Sequence, residues 1–278
     1  MTSVLGFGTA SVLGRHGRRD STRAIQAALD LGIRHFDTAR SYGWGEAEAL
    51  LGQVLRTVPR EELVIVSKCG LVPPRQSPLL RLAKAVGRQV VAWVPAARSR
   101  VVRLASSRAV QPTDTYDLET LQRSFRDSLA KLDTPYLDVL LLHNFQVGKP
   151  GLDDVVAWMR GLKASGEIRD YGFSVEGALL PSLAWLADAG LLEGAVIQTP
   201  LVDTLLHLPA RFAAVAFIVH SPFRYLERAQ ETRPALTFAD VLDEIADAVR
   251  CRAVVTSMFS QHHREENVAA ARRALAES

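Results

Sequence analysis

Short, almost entirely apolar runs recur along this chain, and a stretch with helical periodicity follows most of them. Examples are LVIV at 63–66, LDVLLL at 137–142 and VAFIV at 215–219. Such runs are typical of parallel strands that are buried on both faces of a sheet. Because parallel neighbours must be joined by a crossover connection, the pattern predicts repeated strand–helix units rather than hairpins.

Eight units of this kind fill the 278 residues. Strands are predicted at 4–8, 33–37, 63–67, 137–142, 168–174, 195–198, 214–219 and 252–256. Helices are predicted at 21–31, 45–57, 118–132, 153–165, 178–189, 238–249 and 264–275, while 201–212 has the weakest helical pattern. Eight units favour a closed (β/α)8 barrel, one domain over 1–278. A doubly wound open sheet is the alternative, although no GxGxxG follows the first strand.

The composition is typical of a globular protein with one large core and without a membrane-spanning segment. Hydrophobic residues make up 48% of the chain, enough for one large core, and no apolar run approaches the roughly 20 residues that span a bilayer. The N-terminus lacks the basic and apolar regions of a signal peptide, so a cytoplasmic location is expected. The two cysteines, Cys69 and Cys251, predict neither a disulfide framework nor a metal site.

Polar residues follow the predicted strands at the point where each strand ends. In a barrel these ends converge on one mouth, where active sites form. Any one of these residues could be an ordinary buried polar group or a solvated loop residue, but the repetition favours a site. The residues are Asp37, Lys68, His143, Ser174, Gln198, His220 and Ser257.

Tyr42, five residues after Asp37, suggests the chemistry of this site. A phenol with a pKa near 10 is a weak acid, and a neighbouring ammonium such as Lys68 lowers that pKa. Asp37 could hold the lysine, and His143 could bind a substrate oxygen. Such a set suits proton donation to a carbonyl as a hydride arrives. The set lacks a serine or cysteine nucleophile paired with a base, which disfavours acyl transfer. His143 and His220 alone provide too few ligands for a zinc site.

Seven segments resemble the aldo-keto reductase family and extend from residue 5 to residue 270, except for an insert. They are LGFGTAS, GIRHFDTARSYGWGEAEALLGQVL, LVIVSKCG, TPYLDVLLLHN, GEIRDYGFSVE, VIQTPL and REENVAA. The resemblance implies a catalytic tetrad of Asp37, Tyr42, Lys68 and His143, with Tyr42 as general acid or base. It also implies a nicotinamide cofactor, NADP(H) or NAD(H), bound across the barrel mouth without a Rossmann domain.

The same resemblance implies cofactor contacts, and several of them depart from the family pattern. Ser174 and Gln198 match the carboxamide positions, Ser221 lies near the phosphates, and Glu266 and Asn267 match the adenine positions. Val175 replaces the usual asparagine, and His220 stands where an aromatic residue usually stacks on the nicotinamide. Ser257 and His263 replace the basic residues that bind a 2′-phosphate, and the neighbouring Arg264 could substitute. These departures leave the choice between the two cofactors open.

The segment 73–113 is an insert with one sign of charge. It contains eight basic residues and no acidic one, whereas the whole chain carries a net charge of only +3. Within it, 77–93 has the pattern of a basic amphipathic helix. Three interpretations stay open: a surface loop, a lid that favours an anionic substrate, and a helix that contacts an anionic membrane surface. No nucleic-acid-binding pattern is present.

Two functions follow from these features. One is an NAD(P)-dependent oxidoreductase that reduces an aldehyde, ketone or sugar to an alcohol, or catalyses the reverse. The alternative is a cofactor-sensing regulatory or binding protein on the same barrel with little or no turnover. In either case the expected partner is a small carbonyl or sugar molecule, and the protein is expected to be a monomer or a small homo-oligomer.

Overall fold

A computed structural model describes residues 5–72 and 113–277, and eight of its ten described strands form a closed parallel barrel. The strands, in chain order, are β1 (Leu5–Gly8), β2 (His35–Asp37), β3 (Val64–Cys69), β4 (Leu71–Val72), β5 (Thr113–Asp114), β6 (Leu137–Leu142), β7 (Ile168–Ser174), β8 (Val196–Thr199), β9 (Ala216–His220) and β10 (Arg250–Thr256). Around the barrel the order is β1-β10-β9-β8-β7-β6-β3-β2. The predicted (β/α)8 barrel is therefore confirmed.

Helices connect the barrel strands. The described helices are α1 (Arg18–Asp30), α2 (Ala47–Leu55), α3 (Leu118–Leu132), α4 (Leu152–Ser165), α5 (Leu179–Asp188), α6 (Val202–Leu205), α7 (Phe223–Ala229), α8 (Phe238–Ala248) and α9 (Gln261–Glu277). Short 3-10 turns lie at Tyr42–Gly45, Arg60–Glu62 and Ala210–Phe212. None of the described helices is long and apolar enough to cross a membrane.

Several element bounds differ from the prediction. The helix predicted from Gly45 begins at Ala47, because Gly43 and Trp44 have left-handed backbone angles (φ 56° and 61°) that interrupt a helix. Lys68, predicted at the end of its strand, lies one residue inside β3. Helix α7 was not predicted, and the weak segment 201–212 contains only a four-residue helix and a 3-10 turn.

The basic insert lies outside the described residues, apart from Thr113. The two chain ends that lead into it are nevertheless paired, because β4 and β5 form an antiparallel ladder in which Leu71 faces Asp114 and Val72 faces Thr113. This pair follows β3 at its C-terminal end, on the side of the barrel mouth. The lid and membrane interpretations stay predictions.

Two apolar clusters stabilise the barrel, and β6 contributes residues to both. Val139 and Leu141 belong to a small cluster made of strand residues only, which fills the barrel interior. Leu140 and Leu142 belong to the large cluster that also contains helix residues, so they face outward from the barrel. Because successive side chains point to opposite faces, a run that is apolar throughout is buried on both.

His35 is a buried titratable group at the start of β2. It is 4% exposed, and its Nε2 has no hydrogen-bond partner among the described residues. Burial lowers the pKa of His35 to about 4, against the weaker opposing effect of Asp37. The ring is therefore neutral in the folded protein at neutral pH, while the unfolded chain takes up a proton near pH 6.5.

We expect acid to destabilise the protein partly through His35. Because its pKa is depressed in the folded state, its contribution is fully present above about pH 6.5 and is lost as the pH falls towards 4. Between pH 7 and pH 4 the free energy of unfolding should fall by about 3 kcal/mol more in the parent than in His35→Asn. Urea unfolding across this range measures the difference, and parallel pH profiles would contradict the assignment.

Candidate active site

The barrel brings four predicted side chains together at its mouth. Asp37 is the last residue of β2, Lys68 lies near the end of β3, and His143 directly follows β6. Tyr42 lies on the loop after β2. Because β2, β3 and β6 are parallel and adjacent, their C-terminal ends meet at one rim. The sequence spacing of these residues is large, but their side chains are neighbours.

Lys68 is the centre of the contacts between them. Its Nζ donates a hydrogen bond of 2.5 Å to Asp37 Oδ1 and one of 2.9 Å to the Thr38 carbonyl oxygen. The same Nζ lies 3.4 Å from the Tyr42 hydroxyl oxygen. The other carboxylate oxygen, Asp37 Oδ2, accepts a bond of 2.6 Å from Gln198 Nε2. Lys68 is thus held between a carboxylate and a phenol, and it is only 2% exposed.

Burial and charge set the protonation states of this pair. Burial disfavours the Lys68 ammonium, but Asp37 and Tyr42 together outweigh it, so the pKa of Lys68 is raised. Burial also raises the pKa of Tyr42, and Lys68 opposes that rise. The predicted influence of Lys68 on the phenol therefore has the expected direction, but burial is the larger effect. At neutral pH Lys68 is charged and Tyr42 carries its proton.

His143 is neutral in this environment. Burial lowers its pKa to about 3, and Lys68 adds to the effect. Its ring lies edge-on to Tyr42, with centroids 5.9 Å apart and an angle of 84°. His143 Nδ1 is buried and has no hydrogen-bond partner among the described residues. A neutral imidazole beside a phenol can hydrogen-bond an uncharged substrate oxygen without adding charge.

A buried ion pair fastens the loop that carries Tyr42. Arg40 NH1 lies 3.4 Å from Glu48 Oε2, and Arg40 NH2 lies 3.2 Å from Asp127 Oδ2. Ser67, the neighbour of Lys68, donates a 2.7 Å bond to Glu48 Oε1. The loop is thus tied to β3, α2 and α3. Sequence reasoning missed Glu48, although its spacing from Leu51 placed a carboxylate on the apolar face of that helix.

A cleft of about 240 Å³ crosses the mouth from the tetrad towards the ends of β9 and β10. Its lining comprises Gly8, Ala10, Asp37, Tyr42, Gln198, His220, Ser221, Pro222, Phe223, Arg224, Val255, Thr256 and Ser257. Four of the predicted cofactor residues are among them: Gln198, His220, Ser221 and Ser257. Their roles in cofactor binding stay predictions, but the structure places them along one surface.

The other predicted cofactor residues do not line this cleft. Ser174 is fully buried, and Arg264 NH1 donates to the carbonyl oxygens of Met258 and Phe259 at 3.1 and 2.8 Å. Asn267 is 3% exposed, with Nδ2 3.4 Å from Thr256 Oγ1. Glu266 lies at the surface, with its Oε1 3.2 Å from His262 Nε2.

Two charged residues of the mouth were missed by the sequence reasoning. Arg224 lines the cleft, and its guanidinium forms no ion pair within residues 5–72 and 113–277. Glu176 follows β7 by two residues, and its Oε1 lies 3.2 Å from His220 Nε2. Each charge follows a predicted strand end by only a few residues, but solvated charges do so as well, so this spacing does not single them out.

Comparisons with known proteins agree with this architecture. The sequence model of the aldo/keto reductase family matches residues 4–187. The chain therefore belongs to the aldo/keto reductase family. A solved aldo/keto reductase from Klebsiella pneumoniae, in complex with NADP and acetate, superposes with a TM-score of 0.66 at 21% identity. That alignment covers 99% of this chain and 89% of the other, and at this identity it supports the fold alone.

Characterised relatives match over shorter stretches. Pyridoxal 4-dehydrogenase of Microbacterium luteolum is 30% identical over 191 residues, which cover 62% of this chain and 52% of that protein. The NADH-specific methylglyoxal reductase of Escherichia coli K12 is 28% identical over 179 residues, with 61% and 47% covered. The chain thus spans about half the length of these relatives.

Proposed function

We propose that this protein is an NAD(P)-dependent oxidoreductase that interconverts a small carbonyl compound and its alcohol. The observation that carries the proposal is the contact of Lys68 with both Asp37 and Tyr42, beside a neutral His143, at the end of an open cleft. The names of the two relatives, a dehydrogenase of pyridoxal and a reductase of methylglyoxal, support carbonyl chemistry.

The cleft has the chemistry that a dinucleotide requires. Gln198 offers an amide near the tetrad, Ser221 and Ser257 offer hydroxyls, and Arg224 offers a cation for phosphate. A bound nicotinamide cofactor would supply a hydride to the carbonyl carbon or accept one from the alcohol. The family resemblance also implies Ser174, Glu266 and Asn267, which do not line the cleft. NADP(H) and NAD(H) both fit this description.

The tetrad residues have distinct roles in the proposed reaction. In the reducing direction the Tyr42 hydroxyl donates its proton to the carbonyl oxygen, and in the oxidising direction the phenolate takes it back. The Lys68 ammonium, 3.4 Å from the Tyr42 hydroxyl oxygen, stabilises the phenolate. Asp37 keeps that ammonium charged and in place. His143 donates a hydrogen bond that orients the carbonyl oxygen towards Tyr42.

A cofactor titration tests the binding part of the proposal. Fluorescence titration of the full chain with NADPH and NADH should give saturable binding of at least one of them. Arg224→Gln should weaken this binding about tenfold, since a charge-assisted contact to phosphate contributes about 1.5 kcal/mol. Arg250→Gln, an equal charge change at the exposed start of β10, is the matched control. Equal affinities in the two variants would remove Arg224 from the site.

A substrate screen separates the enzyme from the sensor. Aldehydes and sugars are tested for oxidation of the bound reduced cofactor and for the reverse reaction. Turnover supports the oxidoreductase. Saturable cofactor binding without turnover of any substrate would favour the cofactor-sensing alternative, for which the internal engagement of Arg264 and Asn267 is the supporting observation.

A further inference from the structure

Glu176 places a carboxylate beside His220, one of the residues that line the cleft. It follows Ser174, the last residue of β7, and its side chain is 43% exposed. Its Oε1 lies 3.5 Å from Ser174 Oγ and 3.2 Å from His220 Nε2. The second contact is at ion-pair distance, and His220 Nε2 makes no aligned hydrogen bond with the described residues. Oε2 accepts no hydrogen bond within the described part of the chain.

The charge of Glu176 acts on the tetrad. His220 lowers the pKa of Glu176 against the effect of burial, so the group is a carboxylate at neutral pH. Its field raises the pKa of both Tyr42 and His143, although burial is the larger effect on each. Asp37 and Lys68 compensate each other, and Tyr42 and His143 are neutral. Glu176 therefore adds a negative charge that the tetrad does not cancel.

We infer that Glu176 selects uncharged, hydroxylated carbonyl substrates and rejects those that carry a phosphate or carboxylate. The inference rests on the proposed function and adds the substrate class. A substrate anion that approaches Tyr42 is repelled by the Glu176 carboxylate. A substrate hydroxyl, in contrast, can donate to Oε2, and a hydrogen bond to a charged acceptor is stronger than a neutral one. Glu176 is thus a specificity residue, and it takes no part in the proton transfer.

Three aldehydes of equal carbon number provide the test. Propanal lacks hydroxyls, D-glyceraldehyde has two, and D-glyceraldehyde 3-phosphate has one hydroxyl and an anionic phosphate. Glu176→Gln removes the charge at constant size, and the ratio of kcat/KM for the phosphate ester to that for propanal should rise about tenfold. Glu176→Ala removes the acceptor, and the ratio for glyceraldehyde to propanal should fall about fivefold. Glu193→Gln, an exposed site before β8, should leave both ratios at their parental values.

The ratios of kcat/KM between substrates distinguish substrate selection by Glu176 from a general structural effect of its replacement. If Glu176 only supports His220, all three aldehydes change together and the ratios stay constant, which overturns the inference. An absence of turnover with every aldehyde would instead contradict the proposed function. Thermal unfolding of each variant confirms that it is folded.

A binding measurement keeps the inference testable without turnover. Glycerol and glycerol 3-phosphate are the corresponding products, and their Kd values are measured by calorimetry in the Arg224→Gln background, so that anions held by Arg224 do not contribute. Adding Glu176→Gln should tighten binding of the phosphate about tenfold relative to glycerol. An unchanged ratio would overturn the inference, whatever the outcome of the kinetic assay.

Discussion

Replacing Tyr42 with phenylalanine is expected to lower kcat about 1,000-fold while cofactor affinity stays within about twofold. The variant keeps the ring that packs edge-on against His143 and removes only the hydroxyl beside Lys68 Nζ. Among the described residues that contact Lys68 Nζ, Tyr42 is the one with a hydroxyl that can exchange a proton with the substrate oxygen. A loss of this size corresponds to about 4 kcal/mol of barrier and is typical of a removed general acid.

The matched control for this variant is Tyr136→Phe. Tyr136 loses the same atom, but it precedes β6 at the opposite end of the barrel, where its ring lies between Arg60 and Arg169. Steady-state kinetics and a cofactor titration are compared for both variants. Turnover of Tyr42→Phe within about threefold of the parent would show that another group supplies the proton.

The second large effect is expected for Lys68→Met. Lys68 opposes the rise that burial causes in the pKa of Tyr42, so its removal raises that pKa further. Alcohol oxidation requires the phenolate, so its rate should fall about 100-fold, and the limb on which the rate rises with pH should move to higher pH. The pH–rate profile of oxidation measures the shift.

Two controls accompany this variant. Lys163→Met removes a lysine that pairs with Asp170 on the outside of the barrel, and it should keep the parental profile. Thermal unfolding shows how much of the effect comes from the buried Asp37, which loses its partner. A fall in rate without movement of the pH limb would make Lys68 a structural partner of Asp37 and would remove its role towards Tyr42.

Much of the fold could be predicted because its signals are local. β6, β7 and α3 begin and end at the predicted residues. β6 is an almost entirely apolar run of six residues, and the buried end of β7, from Tyr171 to Ser174, follows a polar start at Arg169 and Asp170. Helix α3 has a clear N-cap in Asp117, whose side chain accepts from Thr120 N. The prediction failed where backbone geometry overrode the pattern. Gly43 and Trp44 adopt left-handed angles, so α2 begins later than its apolar periodicity indicates.

The sequence alone determined the eight strand–helix units and the residues that follow each strand, because periodicity and order are properties of the chain. It thereby identified Asp37, Tyr42, Lys68 and His143 as a set. Only the tertiary structure decided their protonation states, since the pKa of Tyr42 depends on how deeply it is buried and how near Lys68 lies.

The tertiary structure also decided which charged side chains lie at or near the barrel mouth. Glu176 and Arg224 come from the loops after β7 and β9, and Glu48 supports the Tyr42 loop from inside α2. Charged residues are common beside strands and on helices, so type and spacing do not distinguish these three from solvated neighbours. Distance and burial distinguish them, because the electrostatic effect of a charge on the site depends on both. Both are defined only once the barrel has closed.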